Sequence, residues 1–242
     1  MRRVPEYAII GNGAMATHLC FYFDYLSIRY RLWCRAEHTL SQLKNILATA
    51  THALLLISDS AIEPFIAQHI LDKHPHLICV HFSGCLCTTL AHSAHPLQTF
   101  SQKQSYTLDE YRQVPFVIDN QAPCFSQLLP GLDNPHYGLA EQDKAYYHAM
   151  CVLANNVGTL LWQKFYQEMT ARFHIKAADL EPFLRRTFQN ILANPQSALS
   201  GPIARRDTQT LQRNLDALQG DPFYAVMKAI VDQFAQEEIL SD

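Results

Sequence analysis

Two glycines separated by one residue, directly after a short apolar run, constrain this chain more than any other feature. Tyr7-Ala8-Ile9-Ile10 leads into Gly11-Asn12-Gly13-Ala14-Met15-Ala16, and Thr17-His18-Leu19-Cys20-Phe21 follows. A strand, a glycine turn and a helix in that order let a backbone approach a pyrophosphate and present a helix N-terminus to it. The chain is therefore expected to open with a dinucleotide-binding unit, with Gly11, Asn12, Gly13, Ala14 and Met15 shaping the phosphate turn. Ala16 replaces the third glycine of the pattern, and alanine still permits close packing of helix on strand. The competing reading is a tight strand-to-helix turn that binds nothing.

The rest of the first half alternates apolar runs with helical patterns, the signature of strand-helix-strand units and a mainly parallel sheet. Strands are expected at Ile28–Trp33, Ala53–Ile57, Leu77–His81 and Val114–Ile118, with a helix over Glu37–Thr49. Ser60 and Glu63 have the spacing of a capping box, which predicts a helix opening at Ser60 and running to about Lys73. From about Glu141 the texture becomes wholly helical. One long helix is expected over Lys144–Phe165, then helices at Ala178–Ala193, Asp207–Leu218 and Pro222–Leu240. The fold class is α/β: a Rossmann-type, mainly parallel sheet with a C-terminal all-helical domain. The boundary is expected between Pro130 and Gln142, dividing residues 1–138 from 139–242.

A hydrophobic share of 48%, a charged share of 17% and a net charge of -3 describe a chain with a full core and no polyanion-coating surface, so no nucleic-acid partner is expected. The longest apolar runs, such as Ala53–Ile57, are too short to span a bilayer, and Arg2-Arg3 leads into Pro5-Glu6 rather than a signal-peptide core. No membrane role and a cytoplasmic location are expected. The seven cysteines contain no Cys-x-x-Cys pair and read as reduced thiols. Cys85-Leu86-Cys87 with His92 and His95 has a poor spacing for one tetrahedral ion, so no metal site is expected.

The second strand ends Leu32-Trp33-Cys34-Arg35-Ala36, with Arg35 where a 2'-phosphate needs a cation and no acid where the ribose of an unphosphorylated cofactor needs one. NADP is expected over NAD, although Glu37 is close enough to supply the missing acid. Crevices in such sheets lie beyond the carboxyl ends of strands, which singles out Ser58-Asp59-Ser60, Ser83-Gly84 and His95-Pro96. Ser58, Asp59 and Ser83 are taken as further cofactor-binding residues. His95 is a catalytic candidate because the following proline restricts its backbone. On the long helix Lys144, His148 and Asn155 fall within about 40° of one another at 100° per residue, either a solvated edge or a stripe able to serve a carbonyl under reduction.

Taken with Gly11-x-Gly13, the segments Ser58–Ile62, His81–Gly84, His95–Phe100, Lys144–Ala149 through Asn155, and Ser200-Gly201-Pro202-Ile203-Ala204-Arg205-Arg206-Asp207 resemble one known group. It is the bacterial family of Rossmann-like proteins with a C-terminal domain of unknown function. That family is related to ketopantoate reductases, pyrroline-carboxylate reductases and deazaflavin-dependent NADP reductases within the 6-phosphogluconate dehydrogenase superfamily. The resemblance implies a nucleotide-binding domain followed by a helical domain that mediates homodimerisation. It also implies that Lys144, His148 and Asn155 serve a small-molecule substrate, with Lys144 or His148 moving the proton. The function so implied is that of an NADP-dependent oxidoreductase acting on a small carbonyl, imine or hydroxy compound; the alternative is a non-catalytic dinucleotide sensor or scaffold. Arg206 stands where the resembled Gly-Pro-x-x-Arg-Gly-Asp pattern has glycine, and Asn214 where relatives often have histidine.

Overall fold

The computed structural model describes residues 5–101 and 106–236. By packing it divides into residues 1–160 and 161–242.

The first unit is built on a seven-stranded sheet in the order β2-β1-β3-β4-β5-β6-β7. The strands are β1 (Tyr7–Ile10), β2 (Tyr30–Trp33), β3 (His52–Leu55), β4 (Ile78–His81), β5 (His92–Pro96), β6 (Phe116–Asp119) and β7 (His136–Leu139). All neighbouring pairs are parallel except β5 with β6. Helices α1 (Ala14–Tyr25), α2 (Leu40–Thr49), α3 (Asp59–His69), α4 (Leu108–Gln113) and α5 (Phe125–Leu128) connect them. Alternation along the strands builds two cores. Tyr7, Ile9, Leu54 and Val80 face a layer with Leu19 and Phe23 of α1, while Ala8, Ile10, Ala53 and Leu55 face Leu43, Leu47, Ile62 and Ile66 of α2 and α3. Burial on both faces explains why these strands read as continuous apolar runs.

Several details differ from the sequence reading. The strand after α2 ends at Leu55 rather than Ile57. Helix α3 starts at Asp59 with Ser58 as its N-cap and no side-chain cap, so the Ser60–Glu63 capping box does not form, and the helix ends at His69 rather than near Lys73. True capping boxes occur where Thr39 pairs with Gln42 and Thr107 with Glu110. Strands β5 and β7 have no alternating pattern to announce them: β5 contains His92, Ser93, His95 and Pro96, and its register comes from antiparallel pairing with β6. His95 therefore lies on a strand, not in a loop.

The expected single helix over Lys144–Phe165 is three segments: α6 (Lys144–Cys151), a π-helical stretch (Val152–Val157) and α7 (Gly158–Ala171). In the second unit α8 (Ala177–Ala193), α9 (Gly201–Ala204), α10 (Thr208–Ala217) and α11 (Tyr224–Gln236) follow, the expected extension to Leu240 lying outside the described residues. The Gly-Pro-x-x-Arg-x-Asp segment forms α9 and the corner that leads into α10. Gly201 has φ +81° and Arg206 φ +52°, so arginine occupies a left-handed position that glycine adopts freely. Asp207 then caps α10 by accepting from Thr210 N–H at 3.0 Å.

Candidate functional site

The sheet order reverses between β1 and β3, the place where open α/β sheets bind ligands. A cleft of about 970 Å³ opens there, lined by Gly11, Asn12 and Gly13 after β1, Arg35 after β2 and Ser58 after β3, among others. Gly11 has φ +122°, and a Cβ on it would lie 2.1 Å from the Leu56 carbonyl oxygen, so the close approach of β1 and β3 requires glycine. Gly13 is different: a Cβ there would meet nothing within 4 Å. Its lack of a side chain keeps space open at the start of α1, where no side chain caps the helix. Open space beside uncapped N–H groups suits a phosphate.

The remaining expected cofactor residues are distributed otherwise. Ala14 is the first residue of α1. Met15 lines a separate apolar recess with His18, Leu19 and Tyr22. Asp59 and Ser83 bond each other, Ser83 Oγ donating to Asp59 Oδ2 at 2.6 Å, and Ser83 Oγ accepts from Leu86 N–H at 3.0 Å. These two residues fix the turn after β4 and do not line the large cleft. At the cleft's edge Cys34, Glu37 and His38 bring potential ligand atoms within 4.8 Å of one another. There His38 Nδ1 already accepts the Cys34 N–H at 3.2 Å, which occupies one of its two ring nitrogens.

A second cluster surrounds the turn after β4. Lys144, Tyr147, His148 and Cys151 share one face of α6 through i, i+3, i+4 and i+7 spacing. His95 Nδ1 lies 2.8 Å from the Tyr147 hydroxyl, and its ring stands edge to face with His148 at 5.9 Å between centroids. Gly84 makes that approach possible: a Cβ on it would lie 2.4 Å from His148 Cδ2 and 3.1 Å from His95 Nε2. Asn155, displaced by the π stretch from the angle an uninterrupted helix would give it, still joins His95 and His148 around a pocket of about 330 Å³. Leu97, Gln98 and Thr99 line it from the β5 side, and Cys151, Val152, Ala154 and Asn156 from the helix side.

Lys144 does not line this pocket. It is 3% exposed, and its Nζ donates to Asp119 Oδ1 at 2.9 Å, while Asp119 Oδ2 accepts the Ser93 N–H at 3.0 Å. Lys144 instead sits with His95 and Tyr147 around a small recess. Desolvation, then electrostatic interaction with His148 and with the Lys144 ammonium, pull the His95 pKa down to about 4, so its imidazole is neutral at pH 7. Burial raises the Tyr147 pKa, so its hydroxyl stays protonated. The sequence reading did not single out Tyr147 or Asp119 as site residues, and it named Gly84 only as a residue following a strand. Asp119 had an available signal, since it ends the strand predicted at Val114–Ile118 much as Ser58 follows β3.

His81, at the end of β4, is fully buried, and neither ring nitrogen has a partner among the described residues. Desolvation and then the Lys144 charge pull its pKa down to about 4. The unfolded chain takes up protons near pH 6.5 while the folded His81 and His95 do so only near 4, so unfolding binds protons between these values. Stability accordingly rises with pH across that window and is lost as pH falls through it. The melting temperature is expected to drop on acidification from pH 6.5 to 5, and to drop less in His81→Leu; equal slopes in the two proteins would contradict this.

The comparisons with known proteins agree with the architecture. The sequence profile of a domain of unknown function (DUF2520) matches residues 117–232. No curated protein matches the sequence. A Bacteroides fragilis structure described as a candidate NADP oxidoreductase superposes with a TM-score of 0.76 at 19% identity, covering 95% of this chain and 97% of that one. An imine reductase from Myxococcus stipitatus in complex with NADP+ gives 0.64 at 13% identity, covering 98% of this chain and 95% of that one. A reductive aminase from Aspergillus terreus in complex with NADPH4, cyclohexanone and allyl amine gives 0.60 at 14% identity, covering 99% of this chain and 95% of that one. At these identities the likeness establishes the fold: a Rossmann-type sheet followed by a helical C-terminal region.

Proposed function

We propose that the chain is an NADP-dependent oxidoreductase acting on a small carbonyl, imine or hydroxy compound. One observation carries the cofactor assignment. The cleft at the sheet's order reversal combines the open approach at Gly13, the uncapped start of α1 and the Arg35 guanidinium. Gly11, Asn12 and Gly13 would hold the pyrophosphate with the first turn of α1, and Arg35 the 2'-phosphate. The nucleotide, when bound, supplies the hydride. The names of the structurally similar proteins, which include NADP-linked reductases, support the same reading.

His95 and His148 face the substrate in this reading. Tyr147 donates its hydroxyl hydrogen to His95 Nδ1, which leaves the hydrogen on His95 Nε2 for donation to the substrate oxygen. His148 is the proton donor or acceptor, and Asn155 orients the substrate through its carboxamide. Burial, then His148, hold His95 neutral, and the charge of Lys144, itself held by Asp119, adds to this, so that Lys144 acts as a positioning residue.

The experiment is loss of NADPH absorbance over a panel of small ketones, aldehydes and imines. Turnover of at least one class is expected; bound NADPH with no turnover of any class would favour the sensor reading. We also propose a homodimer through the helical region. Helix α8 exposes Phe183, Phe188, Ile191 and Leu192, the last at 83%, an apolar display beyond what a lone surface helix carries. A solution mass of two chains by light scattering supports this proposal, and a monomer removes it.

A further inference from the structure

Among the described residues, the walls of the pocket beside His95 carry no formally charged side chain: no described lysine, arginine, aspartate or glutamate lines it. Its polar groups are the hydroxyl of Thr99, the thiol of Cys151, the carboxamides of Gln98, Asn155 and Asn156, and the two imidazoles. We infer that the ligand of this pocket is uncharged where it meets these walls, a neutral carbonyl compound or its alcohol with no carboxylate or phosphate at that end. The inference rests on the proposed oxidoreductase function and narrows its substrate class.

The physical reason is desolvation. A carboxylate moved into a lined pocket loses its hydration and must recover it from a cation or several directed donors. The ammonium of Lys144 is already used by Asp119 at 2.9 Å, and Lys144 does not line this pocket. The imidazole of His95 is a poor substitute, because burial and then the His148 ring, 5.9 Å away between centroids, disfavour its protonated form. Carboxamides and a hydroxyl, by contrast, match a neutral carbonyl or alcohol in both donor and acceptor capacity. Leu97, Val152 and Ala154 add an apolar surface that favours an uncharged body.

The test uses the full chain loaded with NADP+ and two compact amides that differ in charge, isobutyramide (neutral) and oxamate (anionic), titrated by calorimetry. Isobutyramide is expected to bind at least about tenfold more tightly than oxamate, tenfold being the effect of only about 1.4 kcal/mol. Gln98→Arg, which places a cation in the wall at an exposed position, is expected to tighten oxamate by at least about tenfold. Oxamate binding as tightly as isobutyramide to the unaltered protein, or neither compound binding, would overturn the inference, as would a Gln98→Arg variant with unchanged oxamate affinity. If NADP+ itself fails to bind, the cofactor reading fails first and the inference falls with it, so the two failures are separable.

Discussion

Gly84→Ala is expected to lower kcat/KM by about 100-fold or more while leaving NADPH affinity within about threefold, since misplacing a reacting group by an ångström costs on that order. The added methyl would sit 2.4 Å from His148 Cδ2 and 3.1 Å from His95 Nε2, both side-chain atoms. Gly84 is not among the positive-φ residues, so the backbone itself tolerates alanine. The substitution therefore acts on the rings. Either imidazole can rotate away, but each rotation breaks something specific. Moving His95 strains its 2.8 Å bond to Tyr147, and moving His148 withdraws it from the pocket it shares with Asn155. The cost in stability is about 1–3 kcal/mol, the usual range for overpacking. The nucleotide cleft has no residue in common with this cluster. Unchanged NADPH binding with lost turnover would separate chemistry from binding; turnover within about fivefold of the unaltered enzyme would remove the His95–His148 pair from the mechanism.

Arg35→Ala is expected to weaken NADPH by roughly 10- to 100-fold and leave NADH nearly unchanged, because hydrogen bonds to a charged group contribute about 1.5–3 kcal/mol. Arg35 is exposed on the cleft wall, just past the end of β2. An exposed guanidinium in an open cleft is partly screened, which places the expected effect below that of a buried phosphate clamp. Glu37, two residues on, is also exposed, and its backbone N–H bonds Cys34 O at 3.3 Å in the same turn. If Glu37 held the ribose hydroxyls, NADH would be preferred and Arg35→Ala would change little. An unchanged NADPH-to-NADH ratio in the variant would refute the assignment of Arg35.

The parts of the fold visible in the sequence are those with a period or a punctuating residue. β1, β3 and β4 are apolar because both faces of the sheet are covered, and Gly11 is forced by the Leu56 carbonyl as the glycine turn implies. The warning carried by Arg206 also corresponds to something in the backbone, a left-handed residue at the corner before α10. What escaped the sequence depends on tertiary pairing. β5 is a polar strand whose place is fixed by β4 and β6, and His95 therefore occupies a rigid strand rather than a loop. The Ser60–Glu63 spacing matched a capping box, yet the N-cap of α3 is Ser58, two residues earlier, with Asp59 bonded to Ser83 across the turn.

The candidate site was legible as a set of residues and less so as a geometry. His95, His148 and Asn155 do line one pocket. The helical-wheel argument that aligned Lys144 with them assumed an unbroken α-helix, and the π stretch at Val152–Val157 breaks that assumption. Lys144 is drawn into the interior by Asp119, a partner 25 residues earlier that no local pattern links to it. Asp59 and Ser83 were grouped with the cofactor because each follows a strand. Their mutual hydrogen bond gives them a structural task at the turn that positions Gly84.

The central claim is that residues 11–13 and Arg35 form a site for a 2'-phosphorylated dinucleotide. Calorimetric titration of the full chain with NADPH and, separately, with NADH tests it most directly. Saturable one-site binding of NADPH, about tenfold or more tighter than NADH, is the predicted result. Absence of binding by either nucleotide would contradict the account at its base, and tighter binding of NADH would contradict the role given to Arg35.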